Sequence, residues 1–562
     1  MAKQLRSILT PGTALWAARR AYYRVMGLSD EDMLKPKIAI INTSSELAVC
    51  FNHLDHISAE VKKAIRAAGG VPFEVRTAAP SDFVTSAGKF GAYILPTRDL
   101  IANDIEVQVE GALLDGMVCL ASCDKTSPGQ IMAAGRLNIP SIVVICGYQG
   151  SGTYKGEHVD IEEVFLKASY VAAGKMTVEE LGKMADVAVS TSGVCAGMGT
   201  ANSMHVVCEA LGMTVPGSAP VRADNPRMLE NARKAGERIV RMVEEDLKPR
   251  DILTEGAIRN AVQAVLAVSG SINCVKHLQA IAIEAGLDVD VMGMFAEYSK
   301  TTPLLTAVRP SGHTSTEEFE EAGGARSVMK RLETHLDLGA RSVTGETVGD
   351  ILAAAPEPAG DAIRPLDRPL STRPSINIVR GSLLPGGGIV RLGGEGERQT
   401  KFRGPARIFH SREEGVQGII DGKVKEGDVM VLRGLGVIGG PGMALTSGAV
   451  FQLDSAGLIE KVALITEGQV SGLVNRGLVI AEASPEAAAG GPMALLEDGD
   501  PIDIDVGAGR VDLLVPDEEL ERRRAHIKPF GAKVEHGWLS VYQRTARPVH
   551  EGAVLDPETS KA

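Results

Sequence analysis

Aromatic side chains are scarce in this sequence, 4% of 562 residues, and basic ones do not gather into a long run; the formal charge is 59 − 71 = −12. A nucleic-acid groove needs positive charge and stacking faces, and an anionic membrane surface needs a polybasic patch, so neither is an expected partner. Long apolar runs are missing as well, since none reaches the roughly 18 residues of a membrane span. Seven cysteines, at positions 50, 119, 123, 146, 195, 208 and 274, are too few and too scattered for the even disulfide framework of a small secreted domain. Reduced thiols and a cytoplasmic location are expected. The glycine loop Gly147-Tyr-Gln-Gly-Ser-Gly lacks both the Gly-Lys-Ser/Thr ending of a phosphate cradle and the spacing of a dinucleotide fingerprint, which argues against a nucleotide. A small molecule is the remaining expectation.

What the chain does have is glycine, 63 residues of it, on an ordinary background of 44% hydrophobic and 23% charged residues. At roughly 150 residues per domain, the length predicts two to four units, and the glycines predict tight turns and close backbone approaches. Residues 1–34 form an arm in which Lys3, Arg6, Arg19, Arg20 and Arg24 precede any acid; it is expected to pack on the body or on a partner subunit. Short apolar runs then alternate with helical spacing: Lys35 to Thr43, a helix to Ala68, Val71 to Val75, a helix from Asp99 to Leu114, Gly116 to Ala121, and Ile139 to Cys146, followed by a flexible glycine loop. That alternation predicts a doubly wound α/β/α domain over residues 35–352. A Pro/Ala/Gly-rich linker follows at 353–375, and a smaller strand-rich domain at 376–562 reads as a β-barrel or sandwich.

Three cysteines stand where strands give way to helices or glycine turns: Cys50 in Cys-Phe-Asn-His-Leu, Cys123 in Ser122-Cys-Asp-Lys-Thr-Ser-Pro-Gly, and Cys195 in Gly193-Val-Cys-Ala-Gly-Met-Gly. Ligands bind at such turns in parallel sheets. A thiol, a carboxylate and an amine in a row do nothing for chain bending, and metal chemistry is the simplest reason for the trio. The plain alternative is a half-buried Cys beside a surface Asp–Lys pair.

In order and spacing, Cys123-Asp-Lys-Thr-Ser-Pro-Gly-Gln-Ile-Met-Ala, Cys195-Ala-Gly-Met-Gly-Thr-Ala-Asn-Ser-Met, Glu209-Ala-Leu-Gly, Gly404-Pro-Ala-Arg-Ile-Phe and Gly439-Gly-Pro-Gly-Met resemble the dihydroxy-acid dehydratase / phosphogluconate dehydratase family, from about Leu5 to Arg524. The resemblance implies a hydro-lyase that turns a 2,3-dihydroxy carboxylate into a 2-oxo acid with an iron–sulfur cluster and Mg²⁺. It implies that Cys123 and Cys195 ligate the cluster and that Cys50 marks the [2Fe–2S] type. Three thiolates leave one iron position open for a leaving hydroxyl. Asp124 and a carbamylated Lys125 match metal ligands; Asp82, sixteen residues before Arg98, falls on a further one. Ser471 matches the base that takes the C2 proton. The family also implies a homodimer or homotetramer with the site between two domains. The other cysteines read as buried small hydrophobes.

Two departures concern the substrate side. The family's Gly-Pro-Gly-Met-Pro-Glu reads Gly440-Pro-Gly-Met-Ala-Leu445, so a metal-binding carboxylate is missing, and Thr-Asp-Gly-Arg-Phe-Ser-Gly reads Thr466-Glu-Gly-Gln-Val-Ser-Gly472. Glu467 is a candidate replacement ligand. Asp82 leans towards branched-chain dihydroxy acids, whereas the arm and Ile41-Asn-Thr-Ser-Ser-Glu resemble sugar-acid dehydratases. A non-catalytic relative that senses iron or oxidants is the reading from another class.

Overall fold

Lys37–Asn42 is buried at all six positions, the pattern of a strand covered on both faces, and it forms β1 of an all-parallel sheet. The structure is a computed structural model and describes residues 5–8, 10–78, 81, 91–392, 399–472, 474–527 and 534–556. β2 (Val71–Arg76), β3 (Gly116–Ala121) and β4 (Ser141–Ile145) complete the sheet in the order β2-β1-β3-β4. Helices Leu54–Ala67 and Pro226–Glu245 pack together against it, as do Ile94–Gly111 and Thr126–Leu137, with Asn273–Ala285 packed on the last of these, so helices cover both faces as the alternation predicts. Between β1 and β3 the chain changes the direction in which it adds strands. Open α/β sheets bind ligands at that switch point, and Cys50 and Cys123 follow those two strands.

Two local readings need correction. The helix expected from Asp99 begins five residues earlier, at Ile94, because Pro96 falls in its first turn, where a missing N–H costs nothing. The loop at 147–152 is not a flexible one at its start: Gly147 to Gly150 are buried, and Tyr148 bridges both Val194 and Arg222. The Tyr148 N–H donates to the Val221 carbonyl (3.0 Å) and the Gln149 N–H to that of Val194 (2.8 Å). The backbone there is paired on two sides, which a glycine count does not reveal. A small hairpin, β5 (Gly152–Tyr154) with β6 (Glu157–Val159), follows.

The second half holds β7 (Ile376–Val379), β8 (Gly387–Arg391), β9 (Lys401–Phe409), β10 (Val429–Leu432), β11 (Ala463–Thr466), β12 (Leu478–Ser484), β13 (Pro501–Asp505) and β14 (Arg510–Leu513). They form one sheet in the order β14-β13-β9-β10-β11-β12-β8-β7. The central four are mutually parallel, and antiparallel strands flank them. Its two ends meet: the Arg380 N–H donates to the Gly509 carbonyl and the Arg380 carbonyl accepts from Val511, both at 2.9 Å. Val379, Val390, Ala406, Val431, Ile465 and Ile480 fill the interior of this barrel. No helix or strand lies between Ala353 and Ile376, yet the stretch is tied down, since Ile363 is fully buried and the Arg364 N–H bonds the Leu305 carbonyl at 2.9 Å.

Candidate active site

The turn after β3 is shaped by one hydroxyl. Thr126 Oγ1 donates to the Cys123 carbonyl and accepts the Ser122 N–H, each at 2.9 Å, which starts the Thr126–Leu137 helix and leaves Cys123, Asp124 and Lys125 on the bend. Gly129 lets that helix approach its neighbour, because a Cβ there would lie 2.6 Å from the Arg98 carbonyl oxygen. Lys125 is fully buried, and its Nζ donates to Asp124 Oδ2 at 2.6 Å. A buried ion pair is not the exposed Asp–Lys pair of the plain reading.

The three cysteine-bearing segments touch. Ser122 Oγ donates to the Cys50 carbonyl, the Gly193 N–H donates to the Val49 carbonyl at 3.2 Å, and Ser192 Oγ donates to Asn52 Oδ1 at 2.8 Å. Asn202 holds the 195–199 loop by donating to the carbonyls of Cys195 (2.9 Å) and Gly197 (2.8 Å). The thiols also fall into two groups. Cys119, Cys146, Cys208 and Cys274 are at most 1% exposed; burial pushes Cys119 and Cys274 up to about 12 and raises the other two further, so all four stay protonated. Cys50 and Cys123 are 5% and 8% exposed and Cys195 is half-buried, and none of the seven is in a disulfide.

Some of the buried polar atoms without partners lie on or near the same loops: Gln149 Oε1, Asn202 Oδ1 and Glu162 Oε2 on the Cys195 side, and Ser127 Oγ and Gln130 Oε1 on the helix after Cys123. Such atoms are costly unless something else bonds them. Among the described residues, no three His, Cys, Asp or Glu side chains surround one point as ligands of a single ion would. A cluster with two irons spreads its ligands further than one ion does, so thiols on three adjoining loops fit a polynuclear group. For a divalent metal, Asp124 and Lys125 lie side by side; Asp82 lies outside the described residues.

Next to Lys125 lies a seam of charge that the sequence reading missed. Lys276, on the Asn273–Ala285 helix, is 1% exposed and donates to Asn273 Oδ1 and to Glu482 Oε1, which is also buried. Glu482 sits at an irregularity of β12 with φ +55°, a rare conformation for a non-glycine residue that aims its side chain at the first half of the molecule. Asn273 in turn donates to Thr200 Oγ1 (2.8 Å) and to the Val470 carbonyl (3.4 Å), one residue before Ser471. His277 is held far below the usual imidazole range by burial and by the cations Lys125, Lys276 and Arg98, so it is neutral. Burial likewise lowers Lys276, against the pull of Glu482. The signal available in the sequence was a lone Lys within the apolar run Cys274-Val-Lys-His-Leu.

Ser471 lies in the turn between β11 and β12, half-buried, its N–H donating to Ser447 Oγ at 2.7 Å at the start of the Ser447–Ser455 helix. Gly472 meets the cysteine loop directly, since a Cβ there would lie 2.8 Å from Gly199 Cα, and Arg391 donates to its carbonyl. Leu445 packs on Gly91, a Cβ on which would lie 3.1 Å from the Leu445 Cβ. Glu467 does not take over the role of the missing carboxylate. Its Oε2 accepts the N–H groups of Gly434 (2.5 Å) and Leu435 (3.2 Å) and its Oε1 that of Ala487 (2.6 Å), so both oxygens are committed to backbone.

The family model described as dihydroxy-acid/6-phosphogluconate dehydratase N-terminal matches residues 35–351, and its C-terminal counterpart matches residues 361–553. The chain belongs to this family. It is 40% identical over 544 residues to the dihydroxy-acid dehydratase of Methanococcoides burtonii, covering 96% of this chain and 98% of that one. The dihydroxy-acid dehydratases of Pyrococcus abyssi (41%) and Caldicellulosiruptor saccharolyticus (40%) match over the same span and coverage. The family member described here is therefore a dehydratase. None of its described helices is long and apolar enough to cross a membrane.

Proposed function

We propose that this dehydratase converts a 2,3-dihydroxy carboxylate to the 2-oxo acid at the junction of the two halves. The observation that carries the reading is the meeting of three cysteine loops with the Ser471 turn at Gly199 and Gly472. Cys50, Cys123 and Cys195 would hold a [2Fe–2S] cluster, and Asp124 and Lys125, the latter carbamylated, would hold Mg²⁺ with Asp82. Bound there, the two groups would supply Lewis acidity to the oxygens of the substrate.

The protein's own part is proton movement and orientation. Ser471, as its alkoxide, takes the proton from C2; the electron pair of that bond forms the C2–C3 double bond as the C3–O bond breaks, and the departing hydroxide leaves as water once protonated. The enol then takes a proton at C3 and becomes the 2-oxo acid. Free serine is a weak base, and a cation bound at Asp124 and Lys125 would favour the anion. Asn273 holds the Val470 carbonyl and so fixes where the Ser471 side chain starts. The reading of the chain as a non-catalytic sensor rested on the missing carboxylate at Leu445 alone, and membership of a dehydratase family outweighs it.

Anaerobically reconstituted protein incubated with aldonates and with 2,3-dihydroxy-3-methylbutanoate is expected to release a 2-oxo acid from one of them, detected as its hydrazone. Release from none, with the cluster absorbance present, would refute the activity.

A further inference from the structure

Glu162 is 6% exposed, and its Oε2 is the one buried carboxylate oxygen among the described residues that lacks a hydrogen-bond partner. It stands near the start of the Ile161–Ala172 helix, but the capping there is done by Asp160, whose Oδ1 accepts the N–H groups of Glu162 (2.8 Å) and Glu163 (3.2 Å). The side chain of Glu162 thus has no duty at the helix end. It lies over the 195–199 loop instead: a Cβ added to Gly197 would be 2.6 Å from Oε1 and closer still to Oε2, and one added to Gly199 would be 3.4 Å from Oε1. Gly197 is the residue that makes room for the carboxyl.

The same loop carries Cys195 at one end and meets Gly472 at the other, beside Ser471. Arg391 joins the two sides, since it donates to the Gly472 carbonyl and its charge is felt at Glu162. Burial first, and Asp160 second, hold the Glu162 carboxyl above the usual carboxylate range, while Arg391 pulls the other way. A buried carboxyl with an orphaned oxygen, lying over the loop that joins Cys195 to the Ser471 turn, is a binding group in search of a hydroxyl.

We propose that Glu162 is a substrate-binding residue whose carboxyl hydrogen-bonds a hydroxyl of the bound acid beyond C3, and so selects a polyhydroxylated acid over an aliphatic one. This rests on the dehydratase site described above, where the groups on Asp124, Lys125, the cysteine loops and Ser471 account for C1 to C3. What is left to meet Glu162 is the rest of the substrate. An alkyl group would leave the oxygen orphaned, and that asymmetry is the source of discrimination.

The test compares kcat/KM for D-gluconate and 2,3-dihydroxy-3-methylbutanoate in reconstituted full-length wild type, Glu162→Gln and Glu162→Leu. Wild type is expected to favour gluconate; the Leu variant should lose about 30-fold or more on gluconate and change by less than about 3-fold on the aliphatic acid, with Gln retaining most of the preference. A wild type that prefers the aliphatic acid overturns the proposal, and so does an equal loss on both acids. Unchanged preference in both variants also overturns it and assigns the oxygen to a buried water. If wild type releases a 2-oxo acid from no aldonate and not from the aliphatic acid, the proposed activity has failed and takes this one with it. Should the Leu variant lose its circular-dichroism signal, calorimetric titration of wild type and Gln variant with gluconate decides: equal affinity for a propionate-length dihydroxy acid with altered gluconate affinity supports the assignment, and identical titrations of both acids overturn it.

Discussion

The turn after β3 and the turn after β11 both sit at the C-terminal end of a parallel strand, one in the open sheet and one in the barrel, yet they are built in opposite ways. After β3 the chain displays its chemistry: Cys123, Asp124 and Lys125 follow one another, and a single Thr126 hydroxyl shapes the bend. After β11 the displayed residue, Ser471, is held by groups from elsewhere, Ser447 through its N–H and Asn273 through the carbonyl before it, while Glu467 spends its whole carboxylate on the backbone of two other loops. On the proposed reading the first turn owes its role to what it contains, and the second owes its role to where it is held.

Substitutions in the first turn should therefore remove chemistry outright. Cys123→Ser is expected to abolish the visible absorbance of the reconstituted protein and all measurable turnover. Cys119→Ala, four residues earlier in the apolar strand, should leave the absorbance intact and cost about 1–2 kcal/mol of stability in a denaturant titration. Equal absorbance in the two variants would erase the distinction between the two groups of thiols. In the second turn, Ser471→Ala should lower kcat about 10³-fold at unchanged absorbance. A fall in absorbance would mean that the Gly199–Gly472 contact, not the hydroxyl, is what the serine supports.

The seam between the turns tests whether they are coupled. Lys276→Met leaves the Glu482 carboxylate buried without its cation and should destabilise the protein by about 3–5 kcal/mol, whereas adding Glu482→Met should restore most of that. If the double variant regains stability but not turnover, the ion pair is what aligns Asn273 with Val470 across the junction. Regained turnover would make the pair structural only.

How far the sequence could be read follows the same division. The open sheet was legible because each strand is a run of apolar residues between helical stretches, and the cysteine, Asp124 and Lys125 positions were legible because the residue types themselves are unusual at a turn. In the barrel the strands were legible but their mutual direction was not, since Val429–Leu432 and Ala463–Thr466 are buried on both faces and such short runs do not say which way their neighbours point. Nor were Lys276, Glu482 and Glu162, whose importance comes from burial and from contacts between residues up to 206 positions apart. Gly197 shows the limit well: it reads as a turn residue, and its reason is the Glu162 carboxyl lying over it.

Glu467 offers the finest test of a turn held from elsewhere, because two opposing effects act on one carboxyl. Burial, and then Glu486, push it up to about 7 from an ordinary 4.5, while the N–H groups of Ala487, Gly434 and Leu435 pull it down. With burial the larger, the folded protein binds this proton more tightly than the unfolded chain does. Its contribution is then complete below pH 4.5 and is lost as the pH rises to about 7, on the order of 3 kcal/mol in all, with no further change above. Glu467→Gln places an amide NH₂ against a backbone N–H and should cost about 1–3 kcal/mol at pH 4.5. Glu209, also near 7, titrates alike in both proteins, so the difference between their denaturant midpoints isolates Glu467. That difference should shrink towards pH 7.5; a difference that widens would mean that the three N–H groups outweigh burial and that the loop after β10 is held by a carboxylate ion rather than by a neutral acid.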